Sequence, residues 1–174
     1  MKNMDKTKYE YMLECNKKYM DLTALSFGNK KITYEEMHEQ IEKYARILYS
    51  KGVREGDLIG VIALNTPESV YLLYALDIIG AITPLDNAEK VKKDIELVKP
   101  KMIISVDMCY SNFKDAEKNL NFSTILYSPL ESANNFKIKL GYKLLQLTKG
   151  NFKLSKENNL KSLIKKDYSS VDFI

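Results

Sequence analysis

Glycines Gly52, Gly56 and Gly60 recur every four residues in "KGVREGDLIG", a spacing that invites comparison with the loops that hold phosphate. Such a cradle needs successive backbone N–H groups closing on the anion from a stretch without side chains. Here the three fall at a helix end, in a turn and inside a strand, so the chain has neither a GxGxxG nor a GxxxxGK[ST] loop. The single histidine, His38, lies off the apolar stripe of its helix and has no second histidine to complete a metal pair, so it reads as a surface residue. Cys15 and Cys109 sit far apart with no CxxC or Cys/His spacing, which argues against a zinc site or a disulfide framework. Cys109 follows a strand end in "SVDMCYSN", where parallel sheets place functional groups. A nucleophilic thiol needs a base, however, and His38 is the only imidazole on offer, so Cys109 reads as a structural thiol.

The carboxylates are numerous and unpaired in pattern. Asp57 begins a strand, Asp107 ends one, and Asp77 is the lone polar group in the apolar run Val70–Ile79. Asp77 has two readings: a buried acid with a shifted pKa, or a side chain that points to a capping amine or a solvent gap. The second is the plainer. On these grounds no catalytic, cofactor-binding or metal-binding residue is assigned.

The elements that would position these groups are well marked. In "KITYEEMHEQIEKYARILYSKG", Thr33 caps a helix, Glu36 completes a capping box, and Ile32 with Met37 has the spacing of a hydrophobic staple. Met37, Ile41, Tyr44 or Ala45, and Leu48 form one stripe, and Gly52 supplies the stop. "LIGVIAL" is apolar throughout, as a strand buried on both faces would be. In "NTPESVYLLYALDIIG", Asn65 or Thr66 caps, Pro67 takes the first helical position, Glu68 complements the helix dipole and Gly80 closes. Val70–Ile79 is therefore expected to be a helix buried nearly all round.

The alternation continues. "AITPL" reads as a strand, "AEKVKKDIELVK" as a helix, "KMIISV" as a strand, "SNFKDAEKNL" as a helix and "STILY" as a strand. "FKIKLGYKLLQLTKG" and "NLKSLIKK" read as further helices, "TALSFGNKKITY" as a hairpin around Gly28, and "KYEYMLECNKKYM" as a helix before it. Strands separated by helices imply crossover units. The class is α/β, with a mostly parallel sheet and helices on both faces.

At 174 residues the chain fits one domain with a real core. With 45% apolar and 29% charged residues, disorder and low complexity are excluded. The longest apolar run falls short of the roughly 20 residues that span a bilayer, and the amino terminus has no signal-type run, so a cytoplasmic protein is expected. The net charge of +4 is concentrated late: Lys137, Lys139, Lys143, Lys149, Lys153, Lys156, Lys161, Lys165 and Lys166 surround the single acid Glu157. Without arginines or a binding motif, this reads as a solvated face, with an acidic partner or nucleic acid as the rival.

One family resemblance emerges from the order of phrases. "ITYEEM", then "GVREGDLIGVIALNTPE", then "LDIIGAITPLD", then "VKKDIELVKPKMIIS" resembles the opening of the AMP-binding, adenylate-forming enzymes, which include acyl-CoA synthetases and peptide-synthetase adenylation domains. The resemblance is best from Lys31 to Val106. It implies the amino-terminal subdomain of that fold, with residues 1–174 as one partial domain. For the full-length enzyme it implies ATP, Mg²⁺ and CoA or a carrier-protein thiol, with a small carboxylic acid as substrate and pyrophosphate released on activation. Asn65, Pro67, Gly80, Pro84 and Asp86 match the motifs in structural roles only. The family's phosphate loop, its ribose-binding aspartate and its late lysine have no counterpart, and "SSVDFI" looks like the strand that leads into that loop. The resemblance thus implies an amino-terminal piece, inactive alone, that associates through apolar surface exposed by truncation; the alternative is a non-catalytic binding module whose lysines touch an acidic partner.

Overall fold

The computed structural model describes residues 6–82, 91–129, 140, 144 and 158–172. Helix α1 (Lys8–Asn16) opens with a capping box between Thr7 and Glu10. An antiparallel hairpin follows, β1 (Thr23–Phe27) paired with β2 (Lys30–Thr33), and its turn needs Gly28 at φ +60°. Thr33 then caps α2 (Tyr34–Ser50) in a second capping box with Glu36, and Ile32 and Met37 are both buried beside it.

Three parallel strands form the centre: β3 (Ile59–Ile62), β4 (Met102–Val106) and β5 (Ser123–Tyr127), in the order β3-β4-β5. Parallel bridges extend both edges, Leu58 to Ile82 beyond β3 and Leu126 to Asn159 beyond β5. From β3 the chain passes through α3 (Pro67–Ile79) to Ile82 on one side. It returns through α4 (Val91–Val98) to β4 on the other, then through a 3-10 turn (Asp107–Asn112) and α5 (Lys114–Leu120) to β5. Crossovers that run in opposite directions with the same right hand must cover opposite faces.

The core divides accordingly. Ile59, Val61, Ile104 and Tyr127 face α2 and α3 with Ile41, Leu48, Leu72 and Leu76, whereas Ile62, Ile103 and Leu126 face α4 and α5 with Ile95, Phe113 and Ala116. The alternation Val61/Ile62 and Ile103/Ile104 is the period-two rule applied to strands buried on both sides. Helix α6 (Leu160–Ile164) packs against α2 and β5 through Leu160 and Leu163. Among the described residues, no helix is long and apolar enough to cross a membrane.

Two expectations are corrected. His38 is not on the surface: it is only 6% exposed, because α1 lays Tyr9 over it with the rings in edge-to-face contact at 5.5 Å. Position on one helix does not reveal that a second helix covers its flank. Nor is the run Val70–Ile79 buried nearly all round, since Leu73 is 47% exposed and Val70, Tyr74 and Asp77 are half-buried on an outer stripe. The inner stripe, Tyr71, Leu72, Ala75, Leu76 and Ile79, lies against α2 and the sheet. Pro84, Asp86, "TPL" of the expected strand, the helix "FKIKLGYKLLQLTKG" apart from Leu140 and Leu144, and Lys137, Lys139, Lys143, Lys149, Lys153 and Lys156 lie outside the described residues.

Candidate functional site

At the carboxyl ends of the strands, β3 sends its chain to α3 on one face and β4 sends its chain to the 3-10 turn and α5 on the other. Diverging exits of this kind open the crevice where parallel sheets bind ligands. Asn65 on the β3 exit is exposed, and Asp107 and Cys109 on the β4 exit are half-buried.

A hydroxyl cluster closes the floor of this end. Ser69 Oγ donates to the Leu64 carbonyl, and lies 3.1 Å from Thr66 Oγ1 and 3.0 Å from the Tyr127 hydroxyl. Because the single Ser69 proton is committed to Leu64, Thr66 and Tyr127 both donate to Ser69. Burial pushes the Tyr127 pKa up, and hydrogen bonds with Ser69 and with the Leu64 backbone pull it only partly back, so the phenol remains a neutral donor. With its proton given to the Leu64 carbonyl and two hydroxyls bonded to its oxygen, Ser69 is the structural hub of the cluster. Thr66 stands at the N-cap position of α3, with Pro67 at the first helical position and Gly80 at the C-cap with φ +77°, as the sequence pattern requires. Thr66 makes no side-chain bond to the helix amides, its hydroxyl going to Ser69 instead. Sequence reading missed Ser69 and Tyr127, whose partnership spans 58 positions and leaves no local signal.

Beside this end, a cleft of about 470 Å³ lies between α2, α3 and α6, lined among others by Glu36, Tyr44, Glu68, Tyr71, Lys161 and Lys165. Tyr44 and Tyr71 stack edge to face at 5.5 Å. Burial, reinforced by the carboxylates of Glu68 and Glu36, pushes Tyr71 up to about 12. Glu68, read from sequence as a simple dipole partner, is only 2% exposed.

The other singled-out residues have structural positions. Asp77 accepts a hydrogen bond from the Tyr9 amide at 2.8 Å, so it caps the amino end of α1, its partner a main-chain amide where the plainer reading had an amine or a solvent gap. Asp57 accepts from Lys101 Nζ at 2.6 Å and from the Arg54 amide at 2.7 Å just before β3. Both ring nitrogens of His38 are without a hydrogen-bond partner among the described residues, so no imidazole activates Cys109; Cys15 is exposed and Cys109 half-buried.

Among the described residues there is neither a glycine cradle for the phosphates of ATP nor a cluster of ligands for Mg²⁺. The glycines with positive φ, Gly28, Gly52, Gly56 and Gly80, close separate turns, and among the described residues no group of three or more His, Cys, Asp or Glu side chains could hold a metal ion.

Comparison with known proteins agrees with the fold. The chain is 37% identical over 73 residues to the 2-succinylbenzoate–CoA ligase of Listeria innocua, a match that covers 42% of this chain and 16% of that protein. It is 32% identical over 108 residues to enterobactin synthase component F of Shigella flexneri, covering 58% of this chain and 8% of that protein. Among solved structures, a benzoate CoA ligase from Burkholderia xenovorans superposes with a TM-score of 0.65 at 18% identity over 72% of this chain and 26% of that one. The NpsA N-terminal subdomain from Klebsiella oxytoca does so with a TM-score of 0.54 at 26% identity over 57% and 27%. The chain therefore spans less than a third of the length of each of these relatives. Residues 13–136 match the family described as AMP-binding enzyme, and the chain belongs to that family.

Proposed function

We propose that these 174 residues are the amino-terminal scaffold of a ligase that activates a carboxylic acid with ATP and Mg²⁺ as an acyl-adenylate. The ligase then passes the acyl group to a thiol, CoA or that of a carrier protein, and the residues present here do not perform either step alone. The family match over residues 13–136 carries the reading. The geometry is consistent with it: the hydroxyls at the carboxyl end of the sheet satisfy one another. What these residues supply is a rigid parallel sheet whose strand exits are fixed by α3 and the 3-10 turn.

Carboxylate-dependent exchange of labelled pyrophosphate into ATP tests it. The purified chain is expected to give no exchange with benzoate, fatty or amino acid substrates, and exchange by the chain itself overturns the assignment of a scaffold role. The gene read past codon 174 is expected to continue into a Ser/Thr/Gly-rich loop with its lysine; a stop codon there favours a non-catalytic module.

A further inference from the structure

His38 is the buried group that nothing in the proposed ligase chemistry uses. It is 6% exposed, and neither ring nitrogen has a hydrogen-bond partner among the described residues. A neutral imidazole tolerates this; an imidazolium carries two N–H donors and a charge that must reach water or a carboxylate. Tyr9 of α1 lies against the ring, in edge-to-face contact at 5.5 Å.

Tyr9 is also the fully buried residue of α1, with Met12 and Leu13 packed only partly. It ties the helix to two neighbours at once. Its amide donates to Asp77 of α3 at 2.8 Å, its hydroxyl donates to Glu42 of α2 at 3.4 Å, and its ring tilts against Tyr74 of α3 at 6.5 Å. A nine-residue helix with a single buried side chain is at the weak end of local stability.

We propose that α1 is an acid-opened latch: protonation of His38 expels the Tyr9 ring, and α1 lifts from α2 and α3. Glu42, one turn beyond His38 on α2, changes partner in this step from the Tyr9 hydroxyl to the new imidazolium. Tyr9 of α1 lies against His38 and the Glu42 carboxylate of its own helix acts on it; Tyr9 in turn meets Tyr74 and Asp77 of α3, with Lys8 at the rim of the cleft that those two line. The hairpin and α6 bring Lys30, Lys161 and Lys165 to α2 beside Gln40 and Tyr44. Burial holds His38 below its ordinary range, with Glu42 opposing. The open form therefore binds the proton more readily than the closed one, and the closed form is penalised as pH falls below about 6.5. Opening would uncover Tyr74 and the outer stripe of α3.

Hydrogen exchange of the whole chain, corrected for the intrinsic rate, reads the latch directly. Between pH 7.5 and pH 5.0, protection of the Met12–Asn16 amides is expected to fall at least about fivefold, against a ceiling near tenfold per pH unit for one proton, while the β4 amides keep theirs. His38→Phe and His38→Gln are expected to remove the fall, and the imidazole titration followed by NMR should share its midpoint. The proposal is overturned by flat protection in the wild type, by an equal fall in the variants or in β4, or by separate midpoints. If His38→Phe does not fold, His38→Gln and the titration decide.

Discussion

The Ser69 hydroxyl lies 3.0 Å from the Tyr127 hydroxyl, joining the first turn of α3 to the last residue of β5 inside the core. Tyr127→Phe removes one donor and leaves Ser69 with Thr66 and Leu64, a loss of about 1 kcal/mol. Ser69→Ala strips the acceptor from two hydroxyls and the donor from Leu64, and should cost about 2–3 kcal/mol. In urea unfolding the double variant should cost little more than Ser69→Ala alone, since both changes break one network. Equal costs for the two single variants would show that Ser69 is not the hub.

The capping box of α2 gives a second measure. Thr33 Oγ1 accepts from the Glu36 amide at 3.2 Å, and Glu36 Oε2 accepts from the Thr33 amide at 3.0 Å. Thr33→Ala is expected to lower stability by about 1 kcal/mol, with most of it kept in Thr33→Ser, which retains the oxygen. A Thr33→Ser variant as weak as Thr33→Ala would point to the lost methyl and not to the cap.

That box was legible in the sequence because its partners are three residues apart, as were Pro67 and Gly80 at the two ends of α3, and strands such as "KMIISV" that are buried on both faces. The resemblance read from "ITYEEM" and "LDIIGAITPLD" was likewise carried by local phrases. Ser69 with Tyr127, and Tyr9 with His38 and Asp77, were not legible, because each pairing is made by helices and strands whose relative placement is set by the whole core. The apolar stripe of α2 correctly told which side faces the sheet. It held no record of α1, which covers the adjacent flank with one tyrosine.

Asp57 should leave a signature at low pH. Partial burial pushes its carboxyl up, but the Lys101 ammonium and the Arg54 amide more than offset this and hold it below the usual range. The folded pKa is depressed, so its contribution is present above the unfolded value near 3.8 and is lost as pH falls through the folded value. Urea midpoints measured from pH 5 downward should fall less in Asp57→Asn than in the wild type. Lys101 is half exposed, so salt should narrow that difference; matching pH profiles in the two proteins would remove the pair from the account of acid sensitivity.

Gly80 closes α3 at φ +77°, and its carbonyl accepts from the Gly56 amide at 3.0 Å, which locks the turn before β3 to the end of the helix. A side chain there is disfavoured twice. The left-handed backbone costs an L-residue about 1–2 kcal/mol, and a Cβ would come within 3.0 Å of Glu55 Cγ. Gly80→Ala should therefore destabilise by roughly 1–2 kcal/mol, whereas Gly28→Asn, at φ +60° with open space around it, should cost less because asparagine enters that region more readily. Glu55→Ala in the Gly80→Ala background separates the two terms: the steric part, being the flexible end of an exposed side chain, should be recovered and the backbone part should remain. Full recovery would mean that the clash, not the left-handed turn, is why this position holds glycine.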